Sequence, residues 1–498
     1  MANGSWRDDR GGGVPARTPA VPARALTDRL MSWRRRTAGP SRRRFPRWVV
    51  PLTGVVLAAS LLSRSYGTEV KALSFNPADP AVTRAEPLII GANVHFGLRR
   101  VLGFTSDEVG LDGLAALGAE SFRDFLPWPS FVPDAGGQRL VYSQRLMRFM
   151  GRTKLLPVLN LGQPNGNVPG GVPPVSDEGL TTFAAYLREA VRLTEAHRPI
   201  YEIWNEWNLH SGSGPVLPRL NGEGDESDPR AAVHYTRVAQ AAVRTIREVS
   251  PHARIVVGAV GDDAGWGWTK SIVSRGALKG ADGLSVHVYN HCLNVRDRTA
   301  RELIRRVETL QSELKLASGG VETPIYITEF GWPVFPQRCT LDETQAAHNV
   351  AQFILLAAPV PWIKGIWVHS LKDVGNNPDD IEDHFGLFRF DNSPKPAVCF
   401  FREATKIVHT ARSIEVVEPF EGTFVARVRG KNGRQHVVLW TSNRFVEARY
   451  RLEKGQGRGR LMCGGAIELA SEKEAALTSQ PLIIDFDGDD VVKIEISI

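Results

Sequence analysis

The chain has 498 residues, of which 42% are hydrophobic and 23% are charged, a composition typical of globular proteins. This length predicts one large domain accompanied by a small one. The net charge of +7 arises in residues 1–64, where thirteen arginines and three aspartates give +10, so the remaining 434 residues carry −3. Because the basic charge is confined to this segment, the composition argues against a nucleic-acid-binding protein.

The N-terminal region has the features of an export segment. Residues 1–47 are rich in Arg, Gly, Pro and Ala, which predicts a disordered leader. An uncharged apolar run of about fifteen residues follows at 48–62, and this order predicts an export signal or a membrane anchor over 48–64. The run Ser41-Arg-Arg-Arg-Phe-Pro-Arg47 is similar to a twin-arginine signal, with Pro46 in the place of the usual leucine. Both alternatives place the rest of the chain outside the cytoplasm. It is then periplasmic or extracellular, or it is attached to the inner membrane with the barrel on the outer side.

Residues 65–85 read as an irregular linker, and from 86 to 408 strand-like and helix-like segments alternate. The predicted strands cover residues 88–94, 119–125, 154–161, 199–206, 254–260, 283–289, 324–329 and 364–369. The predicted helices cover residues 107–117, 142–152, 177–196, 231–249, 266–275, 298–317, 345–358 and 397–408. Eight such units predict an α/β fold in which parallel strands close into a (β/α)8 TIM barrel. An open doubly wound sheet is the alternative, but residues 91–97 lack the glycine pattern of a nucleotide loop.

The character of the sequence changes after the barrel. From 409 to 498, short apolar runs are separated by Gly, Asn and Asp, and no helical pattern lies between them. This spacing predicts a small C-terminal antiparallel β-sandwich.

Two predicted strands end in a glutamate. The stretch 199–208 leads to Asn205 and Glu206, and the stretch 324–332 leads to Glu329. The carboxyl ends of barrel strands carry the functional groups, and hydrolysis of a glycosidic bond with retention needs two carboxyl groups about 5–5.5 Å apart. We therefore predict that Glu206 and Glu329 are catalytic; the alternative for each is a solvated turn residue. Strict alternation would send Asn205 and Glu206 to opposite faces, so a bulge or turn is required there.

Further polar residues lie at the same predicted end of the barrel. His287 and Tyr289 share a face of the sixth strand and could hold a nucleophilic carboxylate ionised, or simply pack in the barrel wall. Arg123, on the second strand, could pair with the nucleophile; the alternative is an ion pair with Asp124 or another barrel residue. Asn160 lies near the end of the third strand. We predict that these four side chains and Asn205 bind substrate.

Tryptophans are frequent near the strand ends and suit a sugar site, because sugar rings stack on aromatic faces, although core packing is the alternative for each. These residues are Trp128, Trp207, Trp266, Trp268, Trp332 and Trp367. Trp367 and His369 share a face of the last strand. We predict that Trp332, Trp367 and His369 contact the substrate.

Cysteine usage predicts neither a zinc site nor a disulfide scaffold, because only four cysteines are present and none forms a paired C-x-x-C spacing. Cys292 and Cys339 each follow a strand that ends at the predicted active face. In an exported protein a disulfide between them is expected; the alternative is four unpaired thiols. His287 and His291 lie on a strand and turn rather than on a helix, so no metal and no cofactor are predicted.

Three stretches resemble the retaining glycoside hydrolases of clan A, the (β/α)8 group that includes families 5 and 39. Tyr201-Glu-Ile-Trp-Asn-Glu206 is similar to the acid/base strand, Ile325-Tyr-Ile-Thr-Glu-Phe-Gly331 to the nucleophile strand, and Ser285-Val-His-Val-Tyr289 to the H-x-Y strand. The resemblance covers residues 86–408. It implies that Glu206 is the general acid/base and Glu329 the nucleophile, with Asn205 on the sugar 2-hydroxyl and Tyr289 beside the nucleophile.

The resemblance favours family 39, because the third strand lacks the histidine seen in family 5 and family 39 members often carry a β-sandwich. One departure is Trp207, which stands where proline is usual and either builds a leaving-group subsite or reshapes the loop.

The sequence thus predicts a monomeric retaining hydrolase of β-glycosidic bonds in a polysaccharide or oligosaccharide, acting by double displacement. The alternatives are a non-catalytic carbohydrate-binding protein on a barrel scaffold and a transglycosylase. A metal-dependent barrel hydrolase would need clustered His and Asp ligands, which the sequence pattern does not show.

Overall fold

A computed structural model of the chain describes residues 69–76, 83–96, 107–128, 141–162, 173–209, 230–335, 339, 341–471, 473–486 and 491–498. The predicted leader at 1–47, the signal or anchor segment at 48–64 and the membrane attachment through 48–62 lie outside these residues. Among the residues that are described, no helix is both long and apolar enough to cross a membrane.

Strands and helices alternate through the first two thirds of the described chain. The strands are β1 (Val70–Phe75), β2 (Ile89–Asn93), β3 (Ser121–Pro127), β4 (Leu156–Gly162), β5 (Ile200–Ile203), β6 (Arg254–Val260), β7 (Gly283–Val288), β8 (Ile325–Phe330) and β9 (Ile363–Val368). The helices are α1 (Asp107–Leu117), α2 (Val141–Arg152), α3 (Asp177–Thr194), α4 (Arg230–Val249), α5 (Gly267–Ser274), α6 (Ala300–Ala317), α7 (Glu343–Ala357) and α8 (Pro396–Thr410).

Short strands follow α8. They are β10 (Ala411–Phe420), β11 (Thr423–Gly430), β12 (Gln435–Thr441), β13 (Arg449–Lys454), β14 (Gly457–Leu461), β15 (Ala466–Ile467), β16 (Ala475–Ala476), β17 (Leu482–Phe486) and β18 (Val492–Ser497).

The predicted (β/α)8 barrel is confirmed. Strands β2 to β9 pair in parallel in chain order, and β2 closes the ring by pairing with β9. One helix from α1 to α8 follows each strand and covers the outside of the barrel. This double burial explains why the strands read as apolar runs rather than as alternating patterns.

Apolar side chains fill the lower part of the barrel. Val158, Ile200, Val256, Tyr326 and Trp367 form one buried cluster. Two residues further along β4 and β5 the side chains become polar, because alternate residues face the same side of a strand. The barrel therefore holds a polar layer above an apolar one.

The predicted β-sandwich is also present. One sheet has the order β10-β11-β12-β17-β14-β15, and the other has the order β1-β18-β13-β16. Apolar residues from both sheets form a buried core of their own.

The prediction of an irregular linker over 65–85 is wrong for its first part. Val70–Phe75 forms β1, which pairs antiparallel with β18 from Val70 opposite Ser497 to Phe75 opposite Val492. Leu73 and Phe75 face the sandwich core. The alternation of apolar and polar residues is only six residues long, so the nearby prolines and alanines masked it in the sequence.

The barrel and the sandwich are packed within a single compact unit. The main hydrophobic core runs from the barrel helices into β11 and β12. From α7, His348 Nδ1 hydrogen-bonds the Ser479 hydroxyl at 2.9 Å, and Gln352 donates to the Ser479 carbonyl at 2.7 Å. These contacts fix the sandwich against helices α7 and α8.

All four cysteines are paired in disulfides. The bridge expected between Cys292 and Cys339 is present. A second bridge, Cys399–Cys463, joins α8 to the sandwich, so the alternative of unpaired thiols is wrong. The second pair was not predictable, because only the packing of the two domains brings these residues together.

Replacement of Phe75 tests whether β1 belongs to the sandwich. Phe75→Ala should lower the free energy of unfolding by about 3 kcal/mol, because it empties a buried aromatic position. Val70, on the same strand, is exposed, so Val70→Ala should cost less than about 0.5 kcal/mol. Urea unfolding measures both variants; equal effects would show that 70–75 is not integrated in the fold.

Candidate active site

The carboxyl end of the barrel contains a buried polar layer. Asn93, Arg123, Asn160, Glu202 and His287 come from five different strands, and each is at most 1% exposed. Charged groups in such surroundings need partners, because an unpaired buried charge is strongly destabilising. Hydrogen bonds among these side chains provide most of those partners.

The chain turns sharply after β5. Such a turn was predicted, because Asn205 and Glu206 could not otherwise face the same side. Trp204 and Glu206 both adopt left-handed backbone, with φ of 68° and 46°. Left-handed residues other than glycine are uncommon, and here they turn both functional side chains inward. Asn205 Oδ1 lies 2.8 Å from an Arg123 nitrogen, and Glu206 Oε1 lies 2.8 Å from His287 Nδ1.

A bulge in β8 aims Glu329 into the barrel. Val286 pairs with Ile327, but the next residue, His287, pairs with Glu329, so Thr328 is an extra residue. Without this insertion, Glu329 would face away from Tyr326, which lies inside the barrel, because side chains alternate along a strand. The bulge reverses the alternation and directs the carboxylate to the polar layer.

The Arg123 guanidinium lies at the centre of this layer. Its Nε donates to Glu202 at 2.6 Å, and its Nη1 donates to Glu329 at 2.7 Å and to Asn93 Oδ1 at 2.7 Å. Its Nη2 donates to Asn205 Oδ1 at 2.8 Å. One fully buried cation thus joins the ends of β2, β5 and β8. It pairs with the predicted nucleophile Glu329 and also with another barrel residue, Glu202.

The surroundings keep Glu329 and Glu202 ionised. Burial by itself raises the pKa of a carboxyl group, but His287, Arg123 and the Tyr289 hydroxyl together hold the pKa of Glu329 far below its ordinary value. For Glu202, Arg123 is the largest influence that overcomes burial, and it also lowers the pKa. Both carboxyl groups therefore have pKa values below their ordinary one.

His287 lies between the two predicted catalytic carboxylates. Its Nδ1 is 2.8 Å from Glu206 Oε1 and 3.5 Å from Glu329 Oε2. Burial disfavours its charged form, but Glu329 and the hydrogen bond to Glu206 outweigh that effect and raise the pKa of His287. The imidazole of His287 therefore links the two acids.

Tyr289 donates its hydroxyl hydrogen to Glu329 Oε2 at 2.7 Å. Burial, followed by the negative charges of Glu329 and Glu206, raises the pKa of Tyr289 well above 10. The side chain therefore stays a neutral phenol and acts as a permanent donor to Glu329.

The two carboxylates are close together. One oxygen of Glu206, one oxygen of Glu329 and one nitrogen of His287 all lie within 4.8 Å of one another. Such a trio could ligate a metal, but Arg123 already places a fixed positive charge on Glu329. The electrostatics favour an acid pair over a cation site.

Two further histidines border Glu329. His369 Nδ1 is 3.7 Å from Glu329 Oε2, and the His369 ring meets the His95 ring edge-on with centroids 5.7 Å apart. Burial lowers the pKa of His369 and lowers that of His95 to about 3, so both are neutral imidazoles. The structure thus places His369 in the site, as predicted, and adds His95.

Asn160 is buried and bonds to neighbouring groups of the site rather than facing solvent. It donates to Glu202 Oε2 at 2.9 Å and to the Trp204 carbonyl, and it is buried. These bonds fasten the turn that presents Glu206. The expectation that Asn160 meets substrate directly does not follow from this geometry.

Trp332 and Trp367 are both buried in the structure, and their contact with substrate stays a prediction. Trp367 belongs to the apolar layer below the site, and its Nε1 donates to Ser121 at 2.9 Å. Trp332 is buried against Phe353, and its Nε1 donates to Asn290 at 2.8 Å. Trp367 and His369 do share a face, but they lie in successive layers.

The remaining tryptophans considered for a sugar site are also buried: Trp128, Trp207, Trp266 and Trp268. Trp207 packs between Trp204 and Tyr235, with ring centroids 4.8 Å and 5.6 Å away. It therefore shapes the turn after β5 and does not build a leaving-group subsite. Core packing dominates because these large rings bury extensive apolar area.

The sequence reasoning overlooked Glu202, Asn93 and His95. Glu202 offered a signal, because a carboxylate inside an apolar strand covered on both faces requires a buried cation. Asn93 and His95 offered a weaker signal, because both lie at the end of the first barrel strand, β2, which ends at the same face.

The fold and site together define a (β/α)8 barrel with a catalytic-type acid pair at its carboxyl end. The sequence matches no protein-family model and no curated protein. Among solved structures, a family 39 glycoside hydrolase from the gut symbiont Bacteroides cellulosilyticus WH2 is similar, with a TM-score of 0.63, 19% identity and 82% of each chain covered.

Two more solved structures are similar at a TM-score of 0.52. A family 39 β-xylosidase from Caulobacter crescentus has 14% identity over 84% of this chain and 98% of that one. A subfamily 18 member of glycoside hydrolase family 5, from Streptomyces cattleya in complex with GlcNAc, has 20% identity over 66% and 82%. The resemblance to families 39 and 5 is thus confirmed at the level of the fold.

Removal of Arg123 should destabilise the protein strongly. Arg123→Ala leaves Glu202 buried without its cation, so the free energy of unfolding should fall by about 3–5 kcal/mol. Arg188→Ala, which breaks an exposed pair with Glu248, should cost less than about 1 kcal/mol. Urea unfolding at pH 7 measures both; similar small losses would contradict the central role of Arg123.

The loss of stability at acid pH should also depend on these buried carboxylates. Glu202 and Glu329 have lowered pKa values when folded, so the unfolded chain binds more protons in acid. Their stabilisation is therefore present above the ordinary value of about 4.5 and is lost as the pH falls below it. Urea midpoints between pH 7 and pH 3 should fall less steeply for Glu202→Gln than for the parent.

Proposed function

We propose that this protein is a retaining glycoside hydrolase that cleaves β-glycosidic bonds by double displacement. The observation that carries the proposal is the close approach of Glu206 and Glu329, whose nearest carboxylate and imidazole atoms lie within 4.8 Å. Retaining enzymes hold their two carboxyl groups about 5–5.5 Å apart, whereas inverting enzymes leave about 6.5–9.5 Å for a water. The short separation supports direct attack by one carboxylate.

Glu329 suits the nucleophile. Its pKa is held low, so it is an anion, and its side chain is only 8% exposed. In the first step, an oxygen of Glu329 forms a bond to the anomeric carbon while the bond to the leaving oxygen breaks. Glu206, 22% exposed, gives its proton to that oxygen.

The second step reverses the roles. Glu206, now a carboxylate, takes a proton from water as the water oxygen bonds to the anomeric carbon. The bond to Glu329 breaks and returns the carboxylate. Two inversions at one carbon leave the sugar in its starting configuration.

The surrounding groups serve this cycle. Arg123 and Tyr289 hold Glu329 in one orientation through bonds to its two different oxygens. His287 contacts both acids and holds Glu206 in place through its Nδ1. Asn205, fixed through Oδ1 by Arg123, directs its amide to the sugar 2-hydroxyl.

The substrate is assigned to the class of polysaccharides or oligosaccharides. This assignment follows the glycoside hydrolases that share the fold, of which one is a β-xylosidase and one binds GlcNAc. No cofactor takes part in the proposed steps, and the protein acts as a monomer.

The proposed location is outside the cytoplasm, periplasmic or extracellular, with the segment 48–62 as signal or inner-membrane attachment. Two disulfides, Cys292–Cys339 and Cys399–Cys463, support it, because such bridges persist in oxidising compartments.

Replacement of each acid tests the proposal. Glu206→Gln and Glu329→Gln should lower kcat at least about 10³-fold, because each removes a group that forms or breaks a bond. Glu248→Gln, at an exposed surface pair, should keep full activity. A panel of 4-nitrophenyl β-glycosides together with xylan, galactomannan and barley β-glucan provides the substrates.

The same panel separates the alternatives. A carbohydrate-binding protein would retain a polysaccharide in a gel without releasing sugar, and a transglycosylase would yield longer oligosaccharides than it received. Full activity in either Gln variant would overturn the assignment of the acid pair.

Removal of the phenol should affect Glu329 specifically. Tyr289→Phe should lower kcat about tenfold to a hundredfold, because a hydrogen bond to a charged group contributes about 1.5–3 kcal/mol. This bond also lowers the pKa of Glu329, so its loss should move the acid limb of the kcat/KM profile to higher pH. A lowered kcat with an unmoved acid limb would contradict this role.

A further inference from the structure

Exposed apolar side chains gather where a barrel loop meets a sandwich loop. Leu293 and Val295 lie in the loop between β7 and α6, and Phe445 and Val446 lie in the loop between β12 and β13. All four are exposed, Phe445 by 60%. The Arg296 guanidinium lies 4.0 Å from the centre of the Phe445 ring and joins the loops. We call these five residues the outer platform.

The barrel side of the outer platform lies on the loop that begins at the candidate active site. Tyr289, which donates to Glu329, begins the loop, and Arg296 follows seven residues later, which limits the distance between them to about 25 Å. Asn290 donates to the Asp297 carbonyl at 2.6 Å and so fixes the turn that carries Arg296.

The sandwich side is also held in place. The Phe445 amide donates to Asn443 Oδ1 at 2.9 Å, and the Asn443 amide group donates to the Glu421 carbonyl at 3.2 Å. Both halves of the outer platform are thus shaped by hydrogen bonds before any ligand arrives. A preformed surface loses little conformational entropy on binding.

We propose that the outer platform is a distal subsite that binds sugar residues of a polysaccharide beyond the bond that is cleaved. The inference rests on the proposed function and gives the sandwich a part in it. An exposed aromatic ring offers a flat apolar face to the C–H groups of a sugar, and the Arg296 guanidinium offers several donors to hydroxyl oxygens.

Continuity with the active face favours a glycan over a protein partner. A polysaccharide held at Glu206 and Glu329 extends over the strand-end loops, and the loop after β7 leads from Tyr289 to the outer platform. Clustered exposed apolar side chains on a soluble domain indicate a binding surface.

Two variants test the outer platform by kinetics. In Phe445→Ala and Arg296→Ala, the ratio of kcat/KM for a polysaccharide to kcat/KM for the matching 4-nitrophenyl glycoside should fall about tenfold. The first variant loses the stacking ring, and the second loses the guanidinium donors. Leu316, 85% exposed near the carboxyl end of α6 and hence at the opposite end of the barrel, provides the control Leu316→Ala. An unchanged ratio in both platform variants would overturn the proposal.

A binding experiment separates the two proposals. In the Glu329→Gln background, electrophoresis through gels containing xylan, galactomannan or barley β-glucan should show retardation that Phe445→Ala removes and Leu316→Ala preserves. Equal retardation with and without Phe445 would refute the outer platform. If the parent protein cleaves short glycosides but no variant is retarded, the outer platform is refuted and the proposed function stands. If retardation needs Phe445 but the parent protein cleaves no glycoside, the outer platform is supported and the hydrolase is rejected.

Discussion

A single buried guanidinium organises the carboxyl end of the barrel. Arg123 is bonded at the same time to Glu202 and Asn205, at the end of β5, and to Glu329 on β8, which is far away in the chain. Without this cation, two carboxylates would be buried close to each other, and the cost of their charges would favour protonation or unfolding. Its presence keeps both ionised and fixes the distance between the strand ends.

Stability and chemistry therefore depend on the same contacts. The apolar layer around Trp367 closes the barrel from below, so the polar layer above it is shielded from water on that side. In such surroundings charged hydrogen bonds are stronger than in water. The left-handed turn at Glu206 and the bulge before Glu329 then set the two acids toward each other, with His287 between them.

The sequence was sufficient for the barrel and for the acid pair, because both depend on local pattern. Apolar runs that alternate with amphipathic helices indicate a parallel barrel, and Glu206 and Glu329 stand where such strands end. Layer depth is a property of the assembled barrel, and for this reason the deep position of Trp367 could not be predicted. A large aromatic ring two residues before a site residue faces the same side but lies one layer deeper.

Other features depended on contacts between distant parts of the chain. The strand Val70–Phe75 is defined by its pairing with β18, and the bridge Cys399–Cys463 by the packing of α8 on the sandwich. Neither has a sequence signal of its own. Glu202 did have one, since its isolated charge in an apolar strand required the buried partner that Arg123 supplies.

The stereochemistry of the first product tests the central claim most directly. Proton NMR, recorded during early hydrolysis of a β-glycoside that the protein cleaves, distinguishes the two anomers before they interconvert. Because Glu206 and Glu329 are close enough for direct attack by a carboxylate, we expect the β-anomer to form first. Initial release of the α-anomer would show that water attacks the substrate directly and would contradict the role assigned to Glu329.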